Sequence, residues 1–421
     1  MRPSAIVAAL LLACSLGACE AQMQAGDAPR GGPASTAAAP ADRTVDSEAG
    51  PVAIATLATG LEHPWAVALL PDGRFLVTER PGRMRIVGTD GALSAPLKGV
   101  PAVFAEGQGG LLDVVLAPDF AESRRIWFSY AEPGADDTAG TAVATARLGE
   151  DALADVRVVY RQEPKLEGGY HFGSRIAFDG KGHVFISQGE RNERATAQKL
   201  DMLQGKLVRL NLDGSVPKDN PFVGRPGARP EIWSYGHRNA QSLAIDPRTG
   251  RLWEAEHGPR GGDEINLPQP GKNYGWPIVT HGINYSGLKI PEAVGTEAPG
   301  MEPPHHVWEK SPALSGMAFL VGHPQLAWND SLFLGALAGR ALIRLQLDGD
   351  RIVGEERLLR ELGARIRDVR VGPDGSVYVL TDEENGQLLR LTPPRRAFLA
   401  PRRRALSFTA AAAAPPAARR S

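Results

Sequence analysis

Cysteine is almost missing from this chain: Cys14 and Cys19 are the only two among 421 residues, and both stand close to the N-terminus. Whatever folds beyond them holds no internal disulfide, so its stability has to come from a packed core. A charge excess is missing as well. The 47 basic and 48 acidic residues leave a net charge of −1, which excludes a chain-wide electrostatic footprint for nucleic acid. The apolar run from Ala5 to Ala13, behind Arg2, is too short to cross a bilayer and has the form of a secretory signal peptide. Farther along, almost nothing repeats at the period of a long amphipathic helix, which argues against an α-helical domain.

The ends of the chain are thus separable from its middle. Residues 1–18 are expected to be the export signal. Leu16-Gly17-Ala18-Cys19 resembles the lipobox of bacterial lipoproteins, in which the cysteine becomes the lipidated first residue; plain cleavage after Ala18 or Ala21 is the alternative. The expected location is periplasmic, as a soluble or membrane-anchored bacterial protein that touches the membrane only through a lipid at Cys19. Residues 19–50 are rich in Ala, Pro and Gly with few large apolar side chains and read as a disordered tether. Residues 394–421, with Arg402-Arg403-Arg404 and the run from Ala410 to Ala414, read as a disordered tail.

Between them, residues 51–393 repeat one unit: an alternating apolar run, a turn built on Asp, Gly or Pro, then a second β-rich run. Six copies are legible, over 65–77, 112–130, 174–186, 242–253, 316–335 and 369–380. Alternating runs joined by Asp-Gly or Pro-Asp-Gly turns are hairpin signals, and their recurrence every several tens of residues marks a radial or solenoid array. An all-β, six-bladed β-propeller accounts for the pattern, because radial closure protects the sheet edges. The stretch from Pro51 to Leu57 precedes the first copy and is placed to supply the outer strand of the last blade. In each copy the residues just ahead of the alternating run fall at one mouth of the central channel.

Those residues are unusually polar: Gln108-Gly109-Gly110, His171-Phe172-Gly173, His237-Arg238-Asn239, Ser315 and Arg365-Ile366-Arg367-Asp368. The densest stretch, from Pro230 to Pro277, reads as the floor of an active site. His171 is able to take a proton near neutral pH, or else bonds a neighbouring blade. Arg238, Arg365 and Arg367 around one cavity are costly unless a ligand with several carboxylates answers them. Oxygens between Glu256 and Glu264, with small residues among them, suit a hard cation such as calcium. Ordinary glycine-rich turns with solvated charges are the alternative for either cluster alone.

Several motifs sharpen this: Gly107-Gln108-Gly109-Gly110-Leu111-Leu112, Gly173-Ser174-Arg175-Ile176, Trp233-Ser234-Tyr235-Gly236-His237-Arg238-Asn239, Glu256-His257-Gly258-Pro259, Gly262-Asp263-Glu264-Ile265-Asn266 and Lys272-Asn273-Tyr274-Gly275-Trp276-Pro277. With them the chain resembles, over about residues 55 to 392, the soluble glucose/sorbosone dehydrogenases that use pyrroloquinoline quinone (PQQ), most closely the bacterial aldose sugar dehydrogenases. The resemblance implies a six-bladed propeller that oxidises the anomeric carbon of aldoses to lactones, with PQQ and Ca2+ as cofactors and an external electron acceptor.

Residue by residue, it implies that His171 is the general base and that Arg238 and Asn239 flank the quinone oxygens. It assigns the backbone carbonyls of Gly258 and Pro259 to calcium, Gln108 to the sugar pocket, Arg365 and Arg367 to cofactor carboxylates, and Asp382 to the polar wall. One departure is Ala338, which stands where the family's glucose dehydrogenases carry a lysine for a cofactor carboxylate. A calcium-dependent lactonase, and a non-catalytic propeller that binds glycan or protein, are the competing readings.

Overall fold

The ring of sheets is closed by strands from opposite ends of the chain. The computed structural model describes residues 43–396. Val52–Leu61 runs antiparallel to Gly386–Thr392, with Ile54 opposite Leu391 and Ala55 opposite Arg390. This is the closure expected of the stretch beginning at Pro51. The folded part nevertheless starts earlier than residue 51, inside the span read as a tether: Arg43–Val45 adds one more strand, pairing Thr44 with Ala53. An outermost strand needs only one anchoring side chain, and Val45 supplies it by packing beside Val52 and Ile54. So short an element leaves no trace in composition. At the other end the fold runs past residue 393, because the Arg396 amide still donates to the Gln325 carbonyl. The span read as an export signal, Cys19, the rest of the tether and the tail from residue 397 lie outside the described residues.

Six antiparallel sheets follow one another in chain order. Blade 1 holds Pro64–Leu69, Phe75–Glu79 and Arg83–Val87. Blade 2 holds Leu111–Leu116, Arg125–Pro133 and Thr138–Leu148, with Leu153–Arg161 and Leu166–Glu167 both paired to the last of these. Blade 3 is Gly173–Phe178, His183–Gln188, Lys206–Asn211 and Ile232–Tyr235. Blade 4 is Ala240–Ile245, Leu252–Glu256, Asp263–Asn266 and His306–Trp308. Blade 5 is Leu314–Leu320, Ser331–Ala336, Ala341–Asp348 and Arg351–Leu358. Blade 6 takes Ile366–Val371, Val377–Thr381 and Gly386–Thr392 before the two N-terminal strands. The protein is an all-β, six-bladed propeller, and each sequence copy is the inner hairpin of one blade. Among the described residues the helices are limited to one short α turn and two 3-10 turns, and none is long or apolar enough to cross a membrane.

The inner strands all break their ladder near the start. Register shifts occur between Pro64 and Ala66, Leu111 and Val114, Gly173 and Ile176, Ala240 and Ser242, Leu314 and Met317, and Ile366 and Asp368. A bulge strands backbone groups that the ladder would have paired, and when buried they must find other partners. Hydroxyls of the preceding blade supply them. Thr78 donates to the Leu112 carbonyl at 2.6 Å, Ser129 to Ser174 at 2.7 Å, Ser187 to Ala240 at 2.8 Å and Ser315 to Ile366 at 2.7 Å, while Ser242 donates to the Ser315 carbonyl. The circle closes where the Val67 amide of blade 1 donates to Asp368 of blade 6 at 3.0 Å.

Ser187 also accepts from the Arg175 amide at 2.9 Å. Ser187→Ala takes both of these buried bonds away and is expected to cost about 1–3 kcal/mol, read as a lower urea midpoint at unchanged slope. Ser215→Ala, in an exposed turn, is expected to stay within about 0.5 kcal/mol. Equal effects of the two changes would mean that the hydroxyl chain does not hold the blades together.

Candidate active site

Where the ladders let go, the entering backbone is free to aim side chains at the axis. A cavity of about 460 Å³ lies there. Its wall takes Trp65 and Arg80 from blade 1, Gln108 and Phe172 from the approaches to blades 2 and 3, and Arg365, Arg367 and Asp382 from blade 6. A narrower concavity shares His257 with it and is lined by Arg238, Gly258 and Pro259. The structure thus brings Gln108, Arg365, Arg367 and Asp382 to the larger space and Arg238, Gly258 and Pro259 to the smaller. His171 and Asn239 line neither space themselves; each is one residue along the chain from a lining residue, Phe172 and Arg238 respectively.

His171 is fixed from two sides. Its Nδ1 lies 2.5 Å from Glu190 Oε2, and its backbone amide donates to Gln108 Oε1 at 3.0 Å. Burial pulls the imidazole below its ordinary pKa; the Glu190 charge and hydrogen bond oppose this, and the Arg238 and Arg191 charges reinforce it. Burial alone would raise the Glu190 carboxyl, but the facing imidazole, Arg238 and the Asn192 amide hold it below its ordinary value. An ionised Glu190 accepts a hydrogen bond from Nδ1–H, and the neutral ring then presents a bare Nε2. Among the described residues no protein group bonds that nitrogen.

Arg238 and Asn239 are set by one carboxylate. Glu256 Oε2 accepts both of their backbone amides, the second at 3.1 Å. Arg238 Nη1 donates to the carbonyls of His257 and Gly258 at 3.1 and 2.8 Å, its Nε is buried without a partner, and its guanidinium lies 5.2 Å from the Trp276 ring centre. Asn239 Oδ1 accepts from the Gly173 amide at 3.1 Å and from Gln241, which ties blade 4 to blade 3.

The carboxylates between residues 256 and 264 are largely committed to the fold rather than to a cation. Asp263 caps the amides of Gly258 and Ala313 at 3.0 and 2.7 Å. Asn266 Nδ2 faces Glu254, Glu256 and Glu264, and burial together with the Glu256 charge pushes the Glu254 and Glu264 carboxyls well above their ordinary pKa. His237 and Ser315 are not cavity groups either: the first stacks on Tyr274 and bonds Ser234, and the second belongs to the hydroxyl chain.

Asp382 is more than a wall residue. It bonds Arg367 Nη2 at 2.7 Å and His63 Nδ1 at 3.2 Å, and Arg365 Nη2 lies at 3.6 Å. Burial would raise its pKa, but the two arginines hold it well below the carboxylate range. Arg80, Arg365 and Arg367 therefore face the cavity against a single carboxylate, and Arg367 Nε is buried without a partner. Ala338 is exposed and offers no charge, and Arg340 turns its guanidinium to the Gly363 carbonyl instead of the cavity.

Sequence reasoning missed Glu190, Arg80 and Trp65. Glu190 had a signal, since its loop leaves the strand paired with the one that follows His171, so the two meet by register: Gly173 is opposite Gln188.

The sequence model of the Glucose / Sorbosone dehydrogenase family matches residues 61–390. Aldose sugar dehydrogenase YliI of Escherichia coli is 56% identical over 345 residues, 81% of this chain and 93% of that protein. The apo-form structure of the soluble E. coli aldose sugar dehydrogenase superposes with a TM-score of 0.79 over 82% of this chain and all of that one, at 56% identity. The PQQ-bound aldose sugar dehydrogenase of Streptomyces coelicolor does so with a TM-score of 0.67 at 27% identity, over 84% of this chain and all of that one. The matched span takes in every inner strand and both concavities, and on it the chain belongs to the glucose/sorbosone dehydrogenase family.

Proposed function

We propose that His171, Arg238 and the arginines of blade 6 carry out the oxidation of aldose sugars to lactones in this cavity. The protein is a PQQ-type sugar dehydrogenase. PQQ, when bound, supplies the carbon that accepts the hydride and stores both electrons until an external acceptor takes them. The observation that carries the reading is the bare Nε2 of His171, backed by Glu190, beside a cavity with three guanidiniums and one carboxylate. Such a lining suits a flat acidic ligand: Arg80, Arg365 and Arg367 would answer its carboxylates, and Trp65 and Phe172 would give it apolar walls. It does not suit a lactonase, which needs metal-ligating carboxylates facing the substrate.

His171 Nε2 would take the proton of the anomeric hydroxyl while the hydride on the same carbon goes to the acceptor, so the already cyclic sugar loses the elements of dihydrogen and becomes the lactone. Glu190 holds the ring and stabilises the imidazolium. Arg238 and the free amide of Asn239 stabilise negative charge developing on the acceptor's oxygens, and Gln108 hydrogen-bonds the sugar at the outer wall.

Calcium fits at Gly258 and Pro259 only in part. Among the described residues the Pro259 carbonyl takes no hydrogen bond, but the Gly258 carbonyl already receives Arg238, and both donors are neutral. A cation that wants six or more oxygens, beside a guanidinium, is held there only together with the oxygens of the acidic cofactor. Residues 1–21 support export with a lipid at Cys19.

His171→Ala is expected to lower turnover by about 10²- to 10⁴-fold in a redox-dye assay with glucose, PQQ and calcium. Wild-type turnover, or lactone hydrolysis without dye bleaching, would overturn the assignment. Because the imidazole pKa is depressed, the base form predominates at pH 7, and the acid limb of kcat/KM is expected below the ordinary histidine value of 6.5. Glu190→Gln removes a charge that raises it, so the limb moves to still lower pH while kcat falls. Calorimetry is expected to detect calcium binding to the PQQ-loaded protein and none to the apoprotein at these carbonyls. Tight calcium binding there without PQQ would contradict the joint site.

A further inference from the structure

We propose that Arg191 is the positioning residue of the catalytic base, clamping with its guanidinium the backbone segment that delivers His171 to Glu190. Arg191 is buried, 2% exposed, and among the described residues no carboxylate forms an ion pair with it. A buried cation without a counter-ion is costly and calls for another use of its donors. Four bonds go to carbonyls, three of them on the stretch from Leu166 to Tyr170 and one on Ala139, the strand partner of Leu166. Nε donates to Tyr170 at 2.8 Å, Nη2 to Gly168, and Nη1 to Ala139 and, at 3.4 Å, to Leu166. The guanidinium carbon sits 3.9 Å over the Phe172 ring, and the Arg191 amide donates to the His171 carbonyl at 3.3 Å. Arg191 thus holds the chain on both sides of His171.

The backbone there is locally unusual: His171 has φ +53°, in the left-handed region that only a few per cent of non-glycine residues occupy. The opposing loop is cut to receive it: a Cβ on Gly189 would lie 2.0 Å from the His171 carbonyl oxygen. Three consecutive residues then share one task, with Gly189 admitting the backbone, Glu190 gripping the ring and Arg191 gripping the segment before it. Burial lowers the Arg191 pKa to about 10, so the clamp stays charged at neutral pH. A lysine in its place has one ammonium and does not reach four carbonyls that point from different directions.

The inference rests on His171 being the base, and the experiment separates the two. Arg191→Lys, Arg191→Met, His171→Asn and the double variant Arg191→Lys/His171→Asn are compared as enzymes reconstituted with PQQ and calcium. Arg191→Lys is expected to lower kcat by about 30- to 100-fold, the scale of a misplaced catalytic group, while KM for glucose and the PQQ dissociation constant stay within about 3-fold. Arg191→Met is expected to lose at least as much. In the His171→Asn background Arg191→Lys is expected to bring no further loss, because the group it positions is gone. Turnover of Arg191→Lys within about 3-fold of wild type, or an undiminished loss in the His171→Asn background, would overturn the positioning role. His171→Asn with wild-type turnover would instead remove the base assignment, whatever Arg191 does.

Discussion

The structure depends on four charges gathered on the propeller axis, three of them buried and the fourth, Arg370, partly exposed. Arg175 lies between Asp113 at 3.2 Å and Asp368 at 2.8 Å, and Arg370 bonds the same two carboxylates at 2.6 and 3.0 Å. Blades 2, 3 and 6 are joined by this square. Arg175 reaches blade 4 through the Gln241 carbonyl at 2.9 Å and lies 4.1 Å from the Trp65 ring centre of blade 1. Buried ion pairs are weak evidence of net stability, since desolvation takes back most of the attraction. Their value here is specificity: two carboxylates and two guanidiniums are satisfied together only when the blades meet in one arrangement. The square also plugs the channel, parting the polar cavity from an apolar opening of about 890 Å³ around Phe75, Phe178 and Phe319.

The same plug reaches the chemistry. Arg175 Nη2 donates to the Arg367 carbonyl at 3.2 Å, so an arginine facing the cavity hangs from the group that locks the ring. The bulges do comparable double duty, because the backbone groups they free are bonded to the next blade, while the residues ahead of them are turned inward. Gln241 shows the coupling at one side chain. Its amide nitrogen donates to the Gly173 carbonyl of blade 3 at 3.2 Å, and its oxygen accepts from Arg367 of blade 6 at 3.3 Å. Blade packing and the placement of the cavity-facing arginines are therefore one problem solved once.

This explains what was legible in the sequence. Period-2 runs report burial directly, so the six inner hairpins and the closing strand could be read from residue types. Arg43–Val45 could not, because one buried valine has no periodicity. Polar residues ahead of each run located the mouth, since a strand entry has no reason of its own to carry Arg365 or His171. What sequence does not report is which groups spend their charge on each other. Asp382 looked like a wall and is the counter-ion of two arginines; Glu256 and Asp263 looked like cation ligands and are mainly backbone caps. Glu190 escaped because its loop reaches His171 only through strand register.

The cavity is left electrostatically incomplete on purpose of its function. Arg80, Arg365 and Arg367 outnumber Asp382, and the Nε groups of Arg238 and Arg367 are buried without acceptors. Each such group lowers the stability of the protein alone, the more so because Ala338 and Arg340 neither add to nor relieve the imbalance. A lining with this excess of positive charge favours an acidic ligand over a neutral one. The two charge clusters therefore differ in kind: on the axis two carboxylates face two guanidiniums and the charge is balanced, whereas at the mouth three guanidiniums face one carboxylate and the net charge is positive.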